Sequence, residues 1–293
     1  MRLLNTNGHQ DNDDIKEFAE WILKLGNGES ATNDDGEKLI DVPHDLLITD
    51  PSEPLLQLIQ FVYPDMVSHL TDPTFYQERA ILAPTLESVE KVNQYILSCI
   101  EREEKEYLSC DYACKSDEDN DVEAAWLTPE FLHEVKCSRI PNHKLVLKKG
   151  VPVMLLRNLD QSSGLCNGTR LLIEDLCPNV IGVTVVTGTN SGKKVYIGRM
   201  SLIPQDSGLP FKFERRQFPL AICYAMTINK SQGQSLSHVG LYLPRPVFTH
   251  DQFYVAVSRV KSRKGLRILI LDDEGEITTS TTNVAYREVF ENI

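Results

Sequence analysis

The sequence predicts an α/β domain with a parallel sheet, interrupted by a small antiparallel β-barrel. A short apolar run and a helical pattern follow one another within residues 80–100. Closely spaced β-prone runs then occupy residues 144–212, and the α/β pattern returns from residue 220. Strands that alternate with helices indicate a parallel sheet, whereas short strands separated by turn residues indicate a barrel or a sandwich.

The first strand, turn and helix of the α/β domain are predicted next to one another. Residues 80–83 (AILA) form a short buried-strand candidate, and Pro84 ends the run. Thr85 is a suitable N-cap for the helix that follows, because its side-chain oxygen can accept a backbone hydrogen bond. The apolar residues of this helix recur at helical spacing, at Val89, Val92, Ile96 and Ile100.

The remaining elements are predicted from the same periodicities. Amphipathic helices are expected at residues 13–25 and 55–70, and the charged residues 101–123 predict a mobile surface stretch. In the barrel, the Asn-Gly pair at 167–168 lies between two apolar runs and predicts a hairpin turn. The elements expected after the barrel are a buried strand at 220–226, a helix capped by Thr249 and a final strand at 266–271.

These patterns divide the chain into three parts. The barrel interrupts the α/β domain, whose first strand and helix lie upstream of it. We expect an N-terminal helical and linker segment at 1–75, an α/β domain formed by 76–143 and 213–293, and an inserted barrel at 144–212.

The charge distribution predicts a polyanionic partner. The chain has a net charge of −12, yet residues 141–270 contain 18 Lys and Arg against 6 Asp and Glu. A basic block of this size is typical of nucleic-acid binding, and a basic but merely solvated surface is the alternative. No apolar run approaches the roughly 20 residues that cross a bilayer, so we expect no membrane partner. Seven cysteines, an odd number in a chain of this length, indicate reduced thiols inside a cell.

A polar loop after the strand at 220–226 is the first candidate site. Its residues are Thr227, Asn229, Lys230, Ser231, Gln232, Gly233 and Gln234. Ligands of parallel sheets bind at the carboxyl ends of the strands, and lysine and hydroxyl groups suit phosphates. Gly233 would allow a ligand to approach the backbone closely. A plain strand-to-helix turn is the alternative.

Arg259 is the second candidate, near the end of the helix that follows Thr249. A guanidinium can neutralise charge that develops on a phosphoryl group during its transfer. An arginine at the end of a helix also complements the helix dipole, which is the alternative interpretation.

Three other segments resemble known motifs but are interpreted as structural. Residues 188–194 (GTNSGKK) resemble a phosphate-binding P-loop, but the spacing is one residue short and β-prone runs flank them, so we predict a hairpin turn. Asp272 and its acidic neighbours resemble a Walker B strand end, and we predict only a terminal strand there. Zinc binding by Cys110, Cys114, His133 and Cys137 is the less favoured alternative to no metal site.

Five segments together resemble the petite-integration-frequency (PIF) family of superfamily-one DNA helicases, and most closely its plant and Helitron-transposon branch. They occur in the order typical of the family across nearly the whole chain. The segments are RAILAPT at 79–85, LKKGVPVMLLRN at 147–158, GLCNGTR at 164–170, YAMTINKSQGQS at 224–235 and YVAVSRV at 254–260.

The resemblance implies a fold, an activity and a set of ligands. Family members have two RecA-like domains with ATP and Mg²⁺ between them and single-stranded DNA across both, and they move 5′ to 3′. This chain then resembles the second RecA-like domain with an inserted barrel. The DNA-binding residues implied are Thr227, Asn229, Lys230, Ser231 and Gln232. The residues implied at the nucleotide are Arg2, Gly233, Gln234 and Arg259, and Arg259 has the catalytic role.

Two departures from the family pattern qualify this interpretation. Many members have His where this chain has Asn229, which keeps a hydrogen-bonding group but loses the titratable ring. The P-loop and the Walker B acids of the first domain are absent from the sequence. We therefore expect a P-loop-containing first motor domain to be supplied elsewhere, and this chain alone to be inactive.

Two other functions stay open at this point. One is a non-catalytic module that binds single-stranded nucleic acid or a partner helicase, and the other is a relative directed to RNA. The family roles implied are DNA repair, recombination and telomere maintenance. They place the protein in the nucleus, with the mitochondrion as the alternative.

Overall fold

The computed structural model describes residues 9–28, 31–32, 38–114, 127–137, 139–188, 190–204, 209 and 211–284. The chain forms two compact units. Unit 1 contains Met1–His69, Phe75–Cys99 and Tyr224–Ile293, and unit 2 contains Leu70–Thr74 and Ile100–Cys223. The α-helices of the described residues are α1 (His9–Gly26), α2 (Pro54–Val62), α3 (Pro73–Gln77), α4 (Leu86–Ser98), α5 (Pro129–Glu134) and α6 (Gln252–Val257). Across these residues, no helix combines the length and apolar character that crossing a bilayer requires.

A parallel sheet forms the centre of unit 1. Its strands are β3 (Arg79–Ala83), β14 (Ala225–Thr227), β15 (His238–Leu243) and β16 (Leu266–Ile270), in the order β14-β3-β15-β16. All three neighbouring pairs are parallel. Residues 80–83 of β3 are fully buried, as expected for a central strand covered on both faces. The predicted α/β fold with a parallel sheet is confirmed.

Helix α4 begins and packs as its sequence predicts. The Thr85 side chain accepts a hydrogen bond from the Ser88 backbone N–H at 3.2 Å, which satisfies one of the free donors of the first turn. The helix packs against β3 and β14. Its predicted inner face is buried, at Val89, Val92 and Ile96, with Ile100 just beyond the helix.

Unit 1 also contains a small antiparallel sheet near the chain ends. Its strands are β1 (Ala31–Thr32), β2 (Lys38–Asp41) and β17 (Ser280–Asn283), in the order β1-β2-β17. The Asn283 side-chain amide donates to the Leu25 carbonyl at 3.0 Å, which ties this sheet to the end of α1. The predicted helix at 13–25 is confirmed within α1, whereas the predicted helix at 55–70 ends earlier, at Val62.

Unit 2 is built from antiparallel strands, as the sequence predicts for this part of the chain. They form three sheets, with the orders β10-β9-β8-β7-β13, β11-β12-β5 and β4-β6. The strands are β4 (Glu104–Leu108), β5 (Cys110–Ala113), β6 (Lys144–Lys148), β7 (Pro152–Leu155), β8 (Arg170–Leu176), β9 (Val180–Val185), β10 (Lys194–Gly198), β11 (Met200–Leu202), β12 (Phe213–Gln217) and β13 (Leu220–Ile222). The strands β7 and β8 do pair antiparallel, but residues 156–169 connect them, so 167–168 lies at the end of a longer loop and is not a tight hairpin turn.

The boundaries of the units differ from those the sequence predicts. Residues 101–123 are predicted as a mobile surface stretch, but β4 and β5 occupy 104–113 and pair with β6 and β12. Unit 2 therefore begins near residue 100 instead of 144. The strand expected at 220–226 is two strands, because Cys223 donates to Pro152 of unit 2 while Tyr224 accepts from Ile81 of unit 1.

A buried arginine organises part of unit 2. Arg215 is 1% exposed, and its Nε and Nη2 atoms donate to both carboxylate oxygens of Asp111 at 2.8–3.1 Å. Its other donors reach the backbone carbonyls of Val135, Pro141 and Leu132 at 3.1, 3.1 and 2.6 Å. All five guanidinium N–H groups thus have acceptors, which is what a buried arginine requires.

The residues around Asp111 include possible metal ligands, so they concern the alternative of a zinc site. Ligand atoms of Asp111, His133 and His143 lie within 4.8 Å of one another, so the geometry brings together a different set from the one the sequence suggested. The Asp111 carboxylate, however, already faces the Arg215 guanidinium, whose positive charge disfavours a cation at this carboxylate. The two imidazole rings also lie stacked, with centroids 3.6 Å apart, instead of converging through their nitrogens.

Candidate nucleic-acid interface

The predicted site loop begins at the carboxyl edge of the parallel sheet of unit 1. Thr227 is the last residue of β14 and pairs with Ala83, the last residue of β3. A 3₁₀ turn, Ile228–Ser231, follows at once and packs against α6. Because ligands of parallel α/β sheets bind at this edge, the turn lies where a ligand can reach it.

The polar side chains of the loop differ in their exposure. Asn229 and Gln232 are exposed, and Thr227 and Lys230 are partly exposed. Ser231 is fully buried, and its hydroxyl donates to the Ile228 carbonyl at 2.6 Å. Ser231 is predicted to bind DNA, but its side chain points into the protein and is already hydrogen-bonded, so it stabilises the turn.

Gly233 adopts a backbone conformation that glycine favours. Its φ is +81°, in the left-handed region that favours glycine. A side chain built there would meet no atom within 4 Å. The glycine is therefore favoured by the backbone path that follows the turn, and the close approach of a ligand to this backbone stays a prediction.

After the turn, the chain crosses from the carboxyl edge of the sheet to the amino edge. His238 begins β15 and pairs with Arg79, the first residue of β3. Between the two edges, the Leu236 N–H donates to the Arg259 carbonyl at 2.9 Å. The loop and the end of α6 therefore run side by side, and Gln234 and Arg259 meet there.

Three hydrogen bonds position the Arg259 guanidinium. Nε donates to the Val255 carbonyl at 2.8 Å, Nη1 to the Gln234 carbonyl at 3.3 Å and Nη2 to the Ser258 hydroxyl at 2.8 Å. Burial lowers the pKa of Arg259 from its usual range, yet an arginine keeps its charge at neutral pH. Among the described residues no acceptor takes the other two N–H groups, which can serve a phosphate. Arg2, the other predicted arginine, lies outside the described residues.

Two residues that the sequence analysis missed lie at the carboxyl edge. Gln252 is buried; its side-chain oxygen accepts from the Phe248 N–H at 3.1 Å and its amide donates to the Pro84 carbonyl at 3.4 Å. These bonds hold the loop after β15 beside the end of β3. Phe248 is 60% exposed, whereas no other Phe, Tyr or Trp in the described part of unit 1 is exposed. The sequence does contain one signal for Phe248, because an aromatic residue in a polar loop just after a predicted strand indicates a possible binding residue.

Two segments that resemble motifs have structural roles. The segment at 188–194, of which the structure describes all but residue 189, leads from β9 into the first residue of β10, and the two strands pair antiparallel, so the predicted hairpin is confirmed. The Asp272 carboxylate accepts the N–H groups of Glu274 and Glu276 at 3.0 and 2.9 Å, which closes a turn after the edge strand β16. The segment at 188–194 therefore does not join a strand to a helix as a phosphate-binding loop does.

Comparisons with known proteins match parts of this chain to Pif1 DNA helicases. The family profile described as "DNA helicase Pif1, 2B domain" matches residues 130–176, within unit 2. The chain is 35% identical over 150 residues to the ATP-dependent DNA helicase PIF1 of Danio rerio. It is 36% identical over 126 residues to the ATP-dependent DNA helicase Pif1 of Bdellovibrio bacteriovorus. Over these stretches the chain is similar to Pif1 DNA helicases. The two matches span 51% and 43% of this chain, and 23% and 27% of those Pif1 proteins.

Solved Pif1 structures show the same fold. The crystal structure of Pif1 helicase from Candida albicans has a TM-score of 0.58 and 21% identity, covering 96% of this chain and 58% of the Candida chain. A Bacteroides Pif1 structure in complex with ADP-AlF3 and ssDNA has a TM-score of 0.56 and 20% identity, covering 94% of this chain and 52% of its own. The RecA-like α/β architecture is thus confirmed, while the plant and Helitron branch stays a prediction.

Proposed function

We propose that this chain is the second motor domain of an ATP-dependent 5′-to-3′ DNA helicase, where it binds single-stranded DNA and contributes Arg259 to an ATP site. The observation that carries the proposal is the continuous segment from Thr227 to Leu236. It presents exposed polar groups at the carboxyl edge of the sheet and then contacts Arg259. The relationship to Pif1 supports it, because the relatives are named ATP-dependent DNA helicases and a Bacteroides Pif1 was solved with ADP-AlF3 and ssDNA.

The nucleotide is proposed to be ATP with Mg²⁺, held mainly by a separate first motor domain that carries the P-loop. The part of this chain that fits a phosphate is Arg259, whose guanidinium has two N–H groups without an acceptor among the described residues. Bound ATP would supply the free energy for closing the two motor domains on each other. The Gln234 carbonyl accepts from Arg259 Nη1 only a few residues after the turn, so this bond links the guanidinium to the DNA-binding segment.

Binding of single-stranded DNA by this chain tests the proposal. We expect oligothymidylate to bind with an affinity that falls as salt rises, because lysines that neutralise phosphates release counterions. Lys230→Gln should reduce the slope of log K against log salt by about 0.7, the value for one phosphate contact on a single strand. Fluorescence anisotropy over a salt series measures this slope.

The matched control removes the same charge elsewhere on unit 1. Lys91 is exposed on α4, and Lys91→Gln should leave the slope unchanged. Equal effects of the two substitutions would show that binding depends on net charge alone. An RNA oligomer of the same sequence belongs in the series, since tighter binding to RNA would favour the RNA-directed alternative.

Phe248 is expected to stack on a base of the bound strand. Stacking of a base on an aromatic ring contributes about 1–3 kcal/mol, so Phe248→Ala should weaken binding by roughly tenfold or more. An oligomer with abasic sites tests the mechanism, because it has no bases to stack and should bind the wild type and the variant almost equally. Val67 is 63% exposed in another part of unit 1, and Val67→Ala serves as the control. A loss of affinity that is the same for both oligomers would contradict stacking.

A further inference from the structure

A buried side-chain amide completes the edge of the parallel sheet next to the DNA-binding loop. Asn93 lies on α4 and is 6% exposed. Its side-chain oxygen accepts the Ala225 N–H at 2.8 Å, and its side-chain nitrogen donates to the Ala225 carbonyl at 3.1 Å. The Asn93 side chain thus binds both the backbone N–H and the backbone carbonyl of Ala225.

The position of Ala225 explains why such a partner is needed. It belongs to β14, the edge strand of the sheet, whose only strand neighbour in the described residues is β3. In a parallel sheet, the N–H and C=O of one residue face the same side, and those of the next residue face the other. The Tyr224 carbonyl accepts from Ile81 of β3, so the groups of Ala225 face away from β3. The Asn93 amide takes the place of a peptide group from a missing neighbouring strand.

From this geometry we infer that Asn93 is a positioning residue for the DNA-binding turn, a role that rests on the proposed function. Ala225 is only two residues before Thr227, where the turn begins, and β14 is three residues long. A strand of three residues forms few backbone hydrogen bonds with its neighbour, so β14 is held only weakly by β3 alone. Asn93 therefore sets where the turn lies relative to β3.

An aspartate at this position makes the role measurable through pH. A carboxylate accepts hydrogen bonds but has none to donate, so Asn93→Asp keeps the bond from the Ala225 N–H and loses the bond to its carbonyl. A protonated carboxyl has one donor and restores the pattern of the amide. At pH 8 the Kd for oligothymidylate should rise about tenfold relative to the wild type. The ratio of the two Kd values should return towards one at pH 5.5.

Three comparisons separate positioning from general effects. Gln94 is exposed on the same helix, and Gln94→Glu adds the same charge without touching β14, so its Kd ratio should stay near one at every pH. Asn93→Leu removes both bonds, and its loss of affinity should not respond to pH. Hydrogen exchange of Asn93→Leu should show lost protection in the peptide that contains 224–232 while β16 stays protected, which gives a result even if Asn93→Asp fails to fold.

The outcomes distinguish this inference from the proposed function. A wild-type chain that does not bind single-stranded DNA would refute the proposed function and with it this role. A wild-type chain that binds, with an Asn93→Asp ratio near one at both pH values, would refute the positioning role alone. Uniform loss of protection across unit 1 in Asn93→Leu would likewise refute the positioning role. It would show that Asn93 stabilises the whole unit and does not act on the turn in particular.

Discussion

Arg215→Leu is expected to destabilise unit 2 by about 3–5 kcal/mol, because removing one partner of a buried ion pair leaves the other charge uncompensated. The Asp111 side chain is 0% exposed and would lose its guanidinium partner. The carbonyls of Leu132, Val135 and Pro141 would lose a donor at the same time. Urea denaturation followed by peptide-resolved hydrogen exchange measures the loss, since it reports unit 2 separately from unit 1.

The neighbouring residue provides the control for Arg215. Arg216 is exposed on the same strand, so Arg216→Leu removes an equal charge and should change the stability of unit 2 little. The double variant Asp111→Leu with Arg215→Leu should recover part of the loss, because no buried carboxylate is then left without a partner. If Arg215→Leu and Arg216→Leu were equally stable, the buried pair would not organise this unit.

Arg259→Ala is expected to abolish ATP turnover once a P-loop-containing first motor domain is added to this chain. An arginine that reaches the transferring phosphoryl group contributes about 10³–10⁵-fold to turnover in such enzymes. Binding of single-stranded DNA should change little, because the exposed residues of the turn are untouched. Steady-state ATP hydrolysis with saturating oligothymidylate measures the first effect, and anisotropy measures the second.

A second substitution tests whether the planar guanidinium matters. Arg259→Lys keeps the charge but loses the fork of donors, so it should restore little turnover. Lys261 lies two residues away and pairs with Glu78, which makes Lys261→Ala a local control that should stay active. Normal turnover in Arg259→Ala would remove Arg259 from the nucleotide site.

Elements of unit 1 that depend on local sequence could be predicted. The cap at Thr85, the periodic face of α4 and the buried run at 80–83 each follow from a few neighbouring residues, and the structure confirms them. Strand β4 could not be found this way. It is mostly exposed and buries only Tyr107 well, so its charged sequence lacks an apolar pattern.

Contacts between distant residues explain most of what was missed. Asp111 and Arg215 are 104 residues apart, and Asn93 and Ala225 are 132 apart. A single sequence contains no local pattern that pairs such residues, because each satisfies its partner only after the sheets have formed. The boundary of unit 2 was misplaced for the same reason, since β5 pairs with a strand about a hundred residues later.

The candidate site, too, could be predicted only in part. The motif at 224–235 identified the residues of the loop, but their individual roles depend on which side chains face outward. Ser231 is buried within the turn, and Gln234 contacts Arg259 through its backbone carbonyl, which no side-chain pattern indicates. Phe248 is held at the edge by Gln252, a contact that required the folded arrangement of α6.

The DNA-binding surface is tested most directly by photo-crosslinking of this chain to an oligothymidylate that contains 4-thiothymidine, with the crosslinked peptides identified by mass spectrometry. If the loop binds DNA as proposed, crosslinks should form in the peptides that contain residues 227–234 and Phe248, at the carboxyl edge of the parallel sheet. Crosslinks found only within residues 100–223, or none above the level of a competed sample, would contradict the proposed binding.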